Sequence, residues 1–247
     1  MLKKCDIFII ENIERNQFVK IYFVRHGHPD YKNDCLTELG QRQAHATANR
    51  LKDSKIERVF ASTQGRAVQT AEYTANLLGL DVIPCDFIRE IGWYSIDGKQ
   101  IYANGQPWLV ADSFVAEGKS VADKNWMLSE RFSNSVVVKS VKTVSNGLDV
   151  LLENLGYKRE GEYYRVMEND IYKTVAIFSH AGSSTAAISH MLNIPFPQFC
   201  EILDVECTSI TIIELSGENG SLVSPKIRLL NDTKHIETLL GENVYGN

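Results

Sequence analysis

Ile21-Tyr22-Phe23-Val24-Arg25-His26-Gly27 runs four apolar residues straight into two basic side chains and a glycine. A short continuous apolar run suits a strand buried on both faces, because neither side of it meets water. The same pattern recurs twice. Val59-Phe60-Ala61 leads into Ser62-Thr63-Gln64-Gly65-Arg66, and Val175-Ala176-Ile177-Phe178 leads into Ser179-His180-Ala181-Gly182. In parallel α/β sheets the carboxyl ends of the strands share one edge, and ligands bind there. The three strand ends therefore gather Arg25, His26, Arg66 and His180 at one place.

The intervening segments read as helices. Thr37 is a suitable N-cap for a helix over about 37–52, whose face Gly40, Ala44, Ala48 and Leu51 is mostly small. The helix after the second strand carries Ala67, Ala71, Thr74 and Leu78 on one face. This β-α-β-α order predicts a parallel sheet with covering helices. A long helix is expected over about 134–155, where Val137, Val141, Val144, Leu148, Leu151 and Leu155 form a core-facing stripe. A polar hairpin over 157–167, a helix over 183–192 and strands over 208–215 and 227–230 complete the reading. Between the second helix and the long one lies an irregular aromatic stretch with Trp93, Tyr94, Tyr102, Trp108, Phe114 and Trp126. It reads as a lid holding some specificity residues. The expected fold is a three-layer α/β/α sandwich with a mostly parallel central sheet, one domain over 1–247. Residues 1–17 are then an N-terminal extension and about 91–130 an inserted cap.

Of the 247 residues, 44% are hydrophobic and 23% charged, the balance of an ordinary globular chain. A net charge of −5 without any Lys/Arg run argues against a general nucleic-acid binder, though not against a small anionic ligand. The five cysteines are scattered and never form a CxxC pair, so no zinc or disulfide framework is read. Ile7-Phe8-Ile9-Ile10 is too short for a signal core, and no stretch approaches a membrane span. A cytoplasmic protein is expected.

The chemistry is set by the residue types. Two guanidiniums, Arg25 and Arg66, can neutralise phosphate oxygens and hold them through paired hydrogen bonds. A neutral imidazole is nucleophilic and yields a labile phosphoramidate, so one histidine can attack while the other binds. A helix opening near Gly182 could add backbone N–H groups. With the positive charge supplied by side chains, no Mg²⁺ is required. The acid for the leaving oxygen is read as Glu90, in Phe87-Ile88-Arg89-Glu90-Ile91-Gly92. His45, His190 and His235 fall away from this edge and read as structural.

Arg25-His26-Gly27, Leu36-Thr37-Glu38-Leu39-Gly40 with Gln43-Ala44, Ser62 with Arg66-Ala67 and Gln69-Thr70-Ala71, and Ser179-His180 closely resemble the histidine phosphatase (phosphoglycerate mutase-like) superfamily. The resemblance runs in order from about 20 to 194. It implies that His26 is phosphorylated, that Arg25, Arg66 and His180 bind the phosphate, and that Glu90 is the proton donor. Ala181, where a glycine is frequent, is placed with the phosphate-binding residues; Gly27, His28 and Ser62 are placed as substrate contacts. No adjacent-arginine pair for a substrate carboxylate is present, and residues 92–99 only faintly match the mutase segment. The resulting expectation is a metal-independent phosphatase for a small phosphorylated metabolite, with no cofactor and no nucleic-acid or membrane partner. Phosphoglycerate mutase, needing 2,3-bisphosphoglycerate, is the alternative. Two remoter readings are a metallohydrolase built on His26-Gly27-His28-Pro29-Asp30 and a catalytically inactive phosphoester-binding module.

Overall fold

The computed structural model describes residues 16–167 and 173–239. Strand β1 (Asn16–Arg25) opens them. A two-residue hairpin, β2 (Pro29–Asp30) and β3 (Cys35–Leu36), comes next, then α1 (Glu38–Leu51), β4 (Arg58–Ser62), α2 (Gly65–Leu78) and β5 (Val82–Cys85). The middle holds α3 (Pro107–Ala116), the single turn α4 (Glu130–Ser133) and the long α5 (Val137–Asn154). Beyond it lie β6 (Tyr157–Glu160), β7 (Tyr163–Val166), β8 (Thr174–Ser179), α6 (Ala181–Leu192) and α7 (Phe196–Ile202). β9 (Ile210–Glu218), β10 (Leu222–Val223) and β11 (Lys226–Asp232) are the last strands.

The main sheet has the order β11-β9-β1-β8-β4-β5. Its β1–β8, β8–β4 and β4–β5 pairings are parallel, whereas β9 runs antiparallel to both β1 and β11. The alternation of side chains along a strand divides the core in two. Val19, Ile21 and Phe23 of β1, with Val175 and Ile177 of β8, face the layer of α5 and α6. Val24, Ala176 and Phe178 face the other way, with Leu51 of α1 and Ala71 and Ala75 of α2. The α/β/α layering and the mostly parallel sheet are thus as read from the apolar runs. No helix among the described residues is long and apolar enough to cross a membrane.

Register then places the site. Arg25 pairs with Ser179, and Ala61 with Phe178, so His26, Ser62 and His180 leave the sheet side by side. The loop after β1 crosses α1 at near contact. A Cβ on Gly40 would lie 2.2 Å from the His28 carbonyl oxygen, and one on Gly27 would lie 2.6 Å from that of Gly40. Thr37 caps α1 as expected, its Oγ1 accepting from the Gly40 N–H at 3.1 Å.

Several boundaries differ from the sequence reading. β1 begins at Asn16, so the expected extension overlaps it by two residues, and positions 1–15 lie outside the described residues. The long helix starts at Val137 rather than 134, because Asn134 and Ser135 are bonded to the cap: Ile96 N–H to the Asn134 carbonyl at 2.9 Å, Ser135 Oγ to the Trp93 carbonyl at 2.9 Å. The stretch read as irregular contains α3, which Pro107 opens at its first position. Hairpin β6–β7 is polar on one face only; Tyr157, Tyr164 and Val166 are buried in the core. Gly40→Ala is expected to cost about 1–3 kcal/mol, the penalty of forcing atoms into a filled site. Thermal unfolding checks this, and an unchanged Tm would contradict the close crossing.

Candidate active site

His26 is the first residue beyond β1, and its position is pinned from both sides. Its N–H bonds the Ser179 carbonyl at 2.9 Å, and its carbonyl accepts from the Thr208 N–H at 3.2 Å. Nδ1 lies 2.7 Å from the Gly27 carbonyl oxygen. A carbonyl can only accept, so Nδ1 carries the proton and Nε2 keeps its electron pair. The other contact agrees: Arg66 Nε–H donates to Nε2 at 3.3 Å. Burial, then the charges of Arg25 and Arg66, push the imidazole pKa down to about 3, against opposing pulls from the Gly27 carbonyl and Asp34. The ring is therefore neutral at physiological pH.

Arg66 sits in the first turn of α2 and is only 6% exposed. Its NH1 donates to Asp34 Oδ1 at 2.5 Å, and the Tyr31 ring lies over the guanidinium at 5.4 Å. Asp34 also accepts the Gly65 N–H at 2.7 Å. Burial alone would raise the Asp34 carboxyl, but the bonds from Gly65 and Arg66 outweigh it and hold the group below its ordinary range. Arg25 is half-buried; its NH1 donates to the Val205 carbonyl at 2.6 Å, while its buried Nε finds no partner among the described residues.

His180 caps α6, and its ring centroid lies 5.1 Å from that of His26. Its Nε2 is 2.8 Å from Ser62 Oγ. Burial, with the charges around His26 and the arginines, holds this imidazole far below its ordinary pKa. Glu90 reaches the same end of α6. Oε1 accepts from the N–H groups of Ile91 (2.9 Å) and Ser183 (3.0 Å), and Oε2 from that of Gly182 (3.3 Å). Burial still dominates these bonds and raises the Glu90 pKa, which favours the protonated acid. The Glu90 N–H is itself held by Gln64 Oε1 at 2.7 Å.

The structure thus brings Arg25, His26, Arg66, His180 and Glu90 into one cluster, with Ala181 half-buried at the start of α6. The α6 N–H groups at Gly182 and Ser183, expected to face an anion, are engaged by Glu90 instead. Ser62 is fully buried behind His180, and Gly27 N–H bonds Thr70 Oγ1 at 3.1 Å. His28 turns toward α1, with its N–H on Gln43 Oε1 (2.7 Å) and Nδ1 against Thr37 Oγ1 (3.0 Å). His26, His28 and Asp30 do not converge: Asp30 accepts from Lys32 and Asn33. Among the described residues no group of three or more His, Cys, Asp or Glu could hold a metal ion. His45, His190 and His235 bond elsewhere, to Asn49, Asp149 and Thr47. Sequence reading missed Asp34 and Gln64. Their roles depend on loops meeting in space, and the only local signal is that Asp34 is a residue type that tolerates a left-handed backbone, here with φ 49°.

Residues 21–124 match the model of the histidine phosphatase superfamily (branch 1). Proteins similar to this chain are named as phosphatases and phosphoglycerate mutases. A putative phosphoserine phosphatase 2 from Hydrogenobacter thermophilus is 22% identical over 213 residues, covering 83% of this chain and 93% of that protein. A probable phosphoglycerate mutase GpmB from Yersinia pestis is 30% identical over 92 residues, only 34% of this chain and 43% of the mutase. The solved structure of a mycobacterial glucosyl-3-phosphoglycerate phosphatase with VO3 shares the fold at a TM-score of 0.57 and 20% identity, covering 87% of this chain and 100% of that one.

The depressed His26 pKa has a sign. The fold takes up the neutral ring, so its contribution to stability is complete above the ordinary value of 6.5 and is lost as pH falls toward about 3. ¹⁵N spectra of the imidazoles are expected to show His26 neutral, with Nε2 unprotonated, down to about pH 5. A midpoint near the ordinary histidine value would contradict the burial argument.

Proposed function

We propose that this chain is a metal-independent phosphatase that hydrolyses a small phosphomonoester through a phosphohistidine on His26. One observation carries the reading: a buried, neutral His26 whose proton is held on Nδ1 by Gly27, leaving the Nε2 electron pair beside Arg66 and His180. In the first step Nε2 bonds to phosphorus while the phosphorus–oxygen bond to the alcohol breaks, and the Glu90 proton goes to the departing oxygen. Arg25, Arg66 and His180 stabilise the charge on the transferring phosphoryl. In the second step water bonds to phosphorus, the nitrogen–phosphorus bond breaks, and Glu90 takes the water's proton. No metal or cofactor enters either step, and the reaction fits the cytoplasm.

Phosphatase is favoured over mutase because no adjacent-arginine pair marks a carboxylate site. The putative phosphoserine phosphatase also aligns along nearly its whole length, whereas the probable mutase aligns over less than half. The match to the mutase keeps phosphoglycerate transfer, primed by 2,3-bisphosphoglycerate, as the second reading. A phosphometabolite panel with and without that compound separates the two.

Glu90→Gln tests the proton transfer. A nitrophenolate leaves without protonation, so a nitrophenyl phosphate is expected to give a rapid burst of one equivalent of nitrophenol and then stall, for want of a base. An alkyl phosphate is expected to show no burst, its first step slowed ~10²–10⁴-fold. Equal slowing of the first step for both substrates would remove Glu90 from the acid role.

A further inference from the structure

Arg66 is a long, flexible side chain, and a guanidinium left free would sample many positions at an entropic cost to any ordered contact. Here it is fixed at two points. Nε–H rests on His26 Nε2 at 3.3 Å and NH1 on Asp34 Oδ1 at 2.5 Å. The second anchor is itself fixed. Asp34 holds the Gly65 N–H at 2.7 Å, one residue before Arg66, and its carbonyl oxygen is so close to Gly65 that a Cβ there would approach within 2.2 Å. Its backbone adopts φ 49° to make this approach.

We infer that Asp34 is a positioning residue for phosphoryl transfer, acting through Arg66: it fixes the guanidinium beside His26, so that when phosphorus replaces the Nε–H on the Nε2 electron pair, the Arg66 N–H groups not held by Asp34 are placed for phosphoryl oxygens. This rests on the phosphohistidine reading above. The exposure of the two partners supports a local role. The Arg66 side chain is 7% exposed while that of Asp34 is 45% exposed, so water screens the carboxylate's field toward a bound dianion, whereas the direct bond persists. Tyr31 covers the guanidinium face and limits its tilt. The short β2–β3 hairpin that carries these residues is therefore part of the site.

A double-mutant cycle with nitrophenyl phosphate tests this, reading the burst rate of His26 phosphorylation. Asp34→Ala is expected to slow the burst about tenfold to a hundredfold, the effect of a misplacement near one ångström, with KM changing much less than kcat. In an Arg66→Ala background the same substitution is expected to change the rate less than about twofold. Asp34→Asn, which keeps an oxygen for the Gly65 N–H, is expected to recover part of the rate and to match the wild-type Tm. An equal loss in both backgrounds would overturn the proposal. The bond is also read without turnover: the Arg66 Nε–H proton is expected to exchange with water at least about tenfold faster in Asp34→Ala. Unchanged exchange in a variant of a phosphorylatable enzyme would contradict the role of Asp34 alone. Faster exchange in an enzyme that never forms phosphohistidine would support the positioning role and sink only the mechanism.

Discussion

The electron pair on His26 Nε2 depends on a short-range contact, the bond from Nδ1–H to the carbonyl of the next residue. Much of the surrounding structure holds the backbone on either side of that contact. Ser179 takes the His26 N–H, Thr70 the Gly27 N–H and Gln43 the His28 N–H. Gly40 packs where any side chain would strike the His28 carbonyl. The glycines of the two motifs are thus two sides of one contact. Close backbone approach is a use for which glycine alone is suited.

Around that ring the charges are matched by role. The arginines favour the neutral imidazole, because a second positive charge in the same buried volume would be costly. Burial moves the Glu90 carboxyl the other way, above its ordinary range. Two titratable groups pushed apart by their surroundings are the pair that the proposed mechanism uses as nucleophile and acid. Asp34 balances part of the Arg66 charge from the solvent side without entering the buried pocket.

The strand ends were legible in the sequence because strands buried on both faces leave continuous apolar runs, and the residues just after each run leave the sheet at one edge. That placed Arg25, His26, Arg66 and His180. The Thr37 cap was legible for a local reason, a hydroxyl residue standing immediately before a helical pattern. Asp34 was not legible: it reaches Gly65 and Arg66 across more than thirty positions, and nothing local distinguishes it from other loop aspartates. Helix α3 was hidden by its own composition, since Pro107-Trp108-Leu109-Val110-Ala111 is apolar without a 3.6-residue stripe. The engagement of the α6 N–H groups by Glu90 depends on how the segment after β5 crosses that helix end, which no spacing encodes.

The most direct measurement is rapid quenching of the enzyme during turnover of a phosphomonoester, with the phosphorylated peptide then mapped by mass spectrometry. Acid-labile, alkali-stable phosphate on His26, formed at a rate at least equal to kcat, is the expected result. Steady turnover with no phosphoenzyme, or with phosphate on any other residue, would contradict the central role of His26.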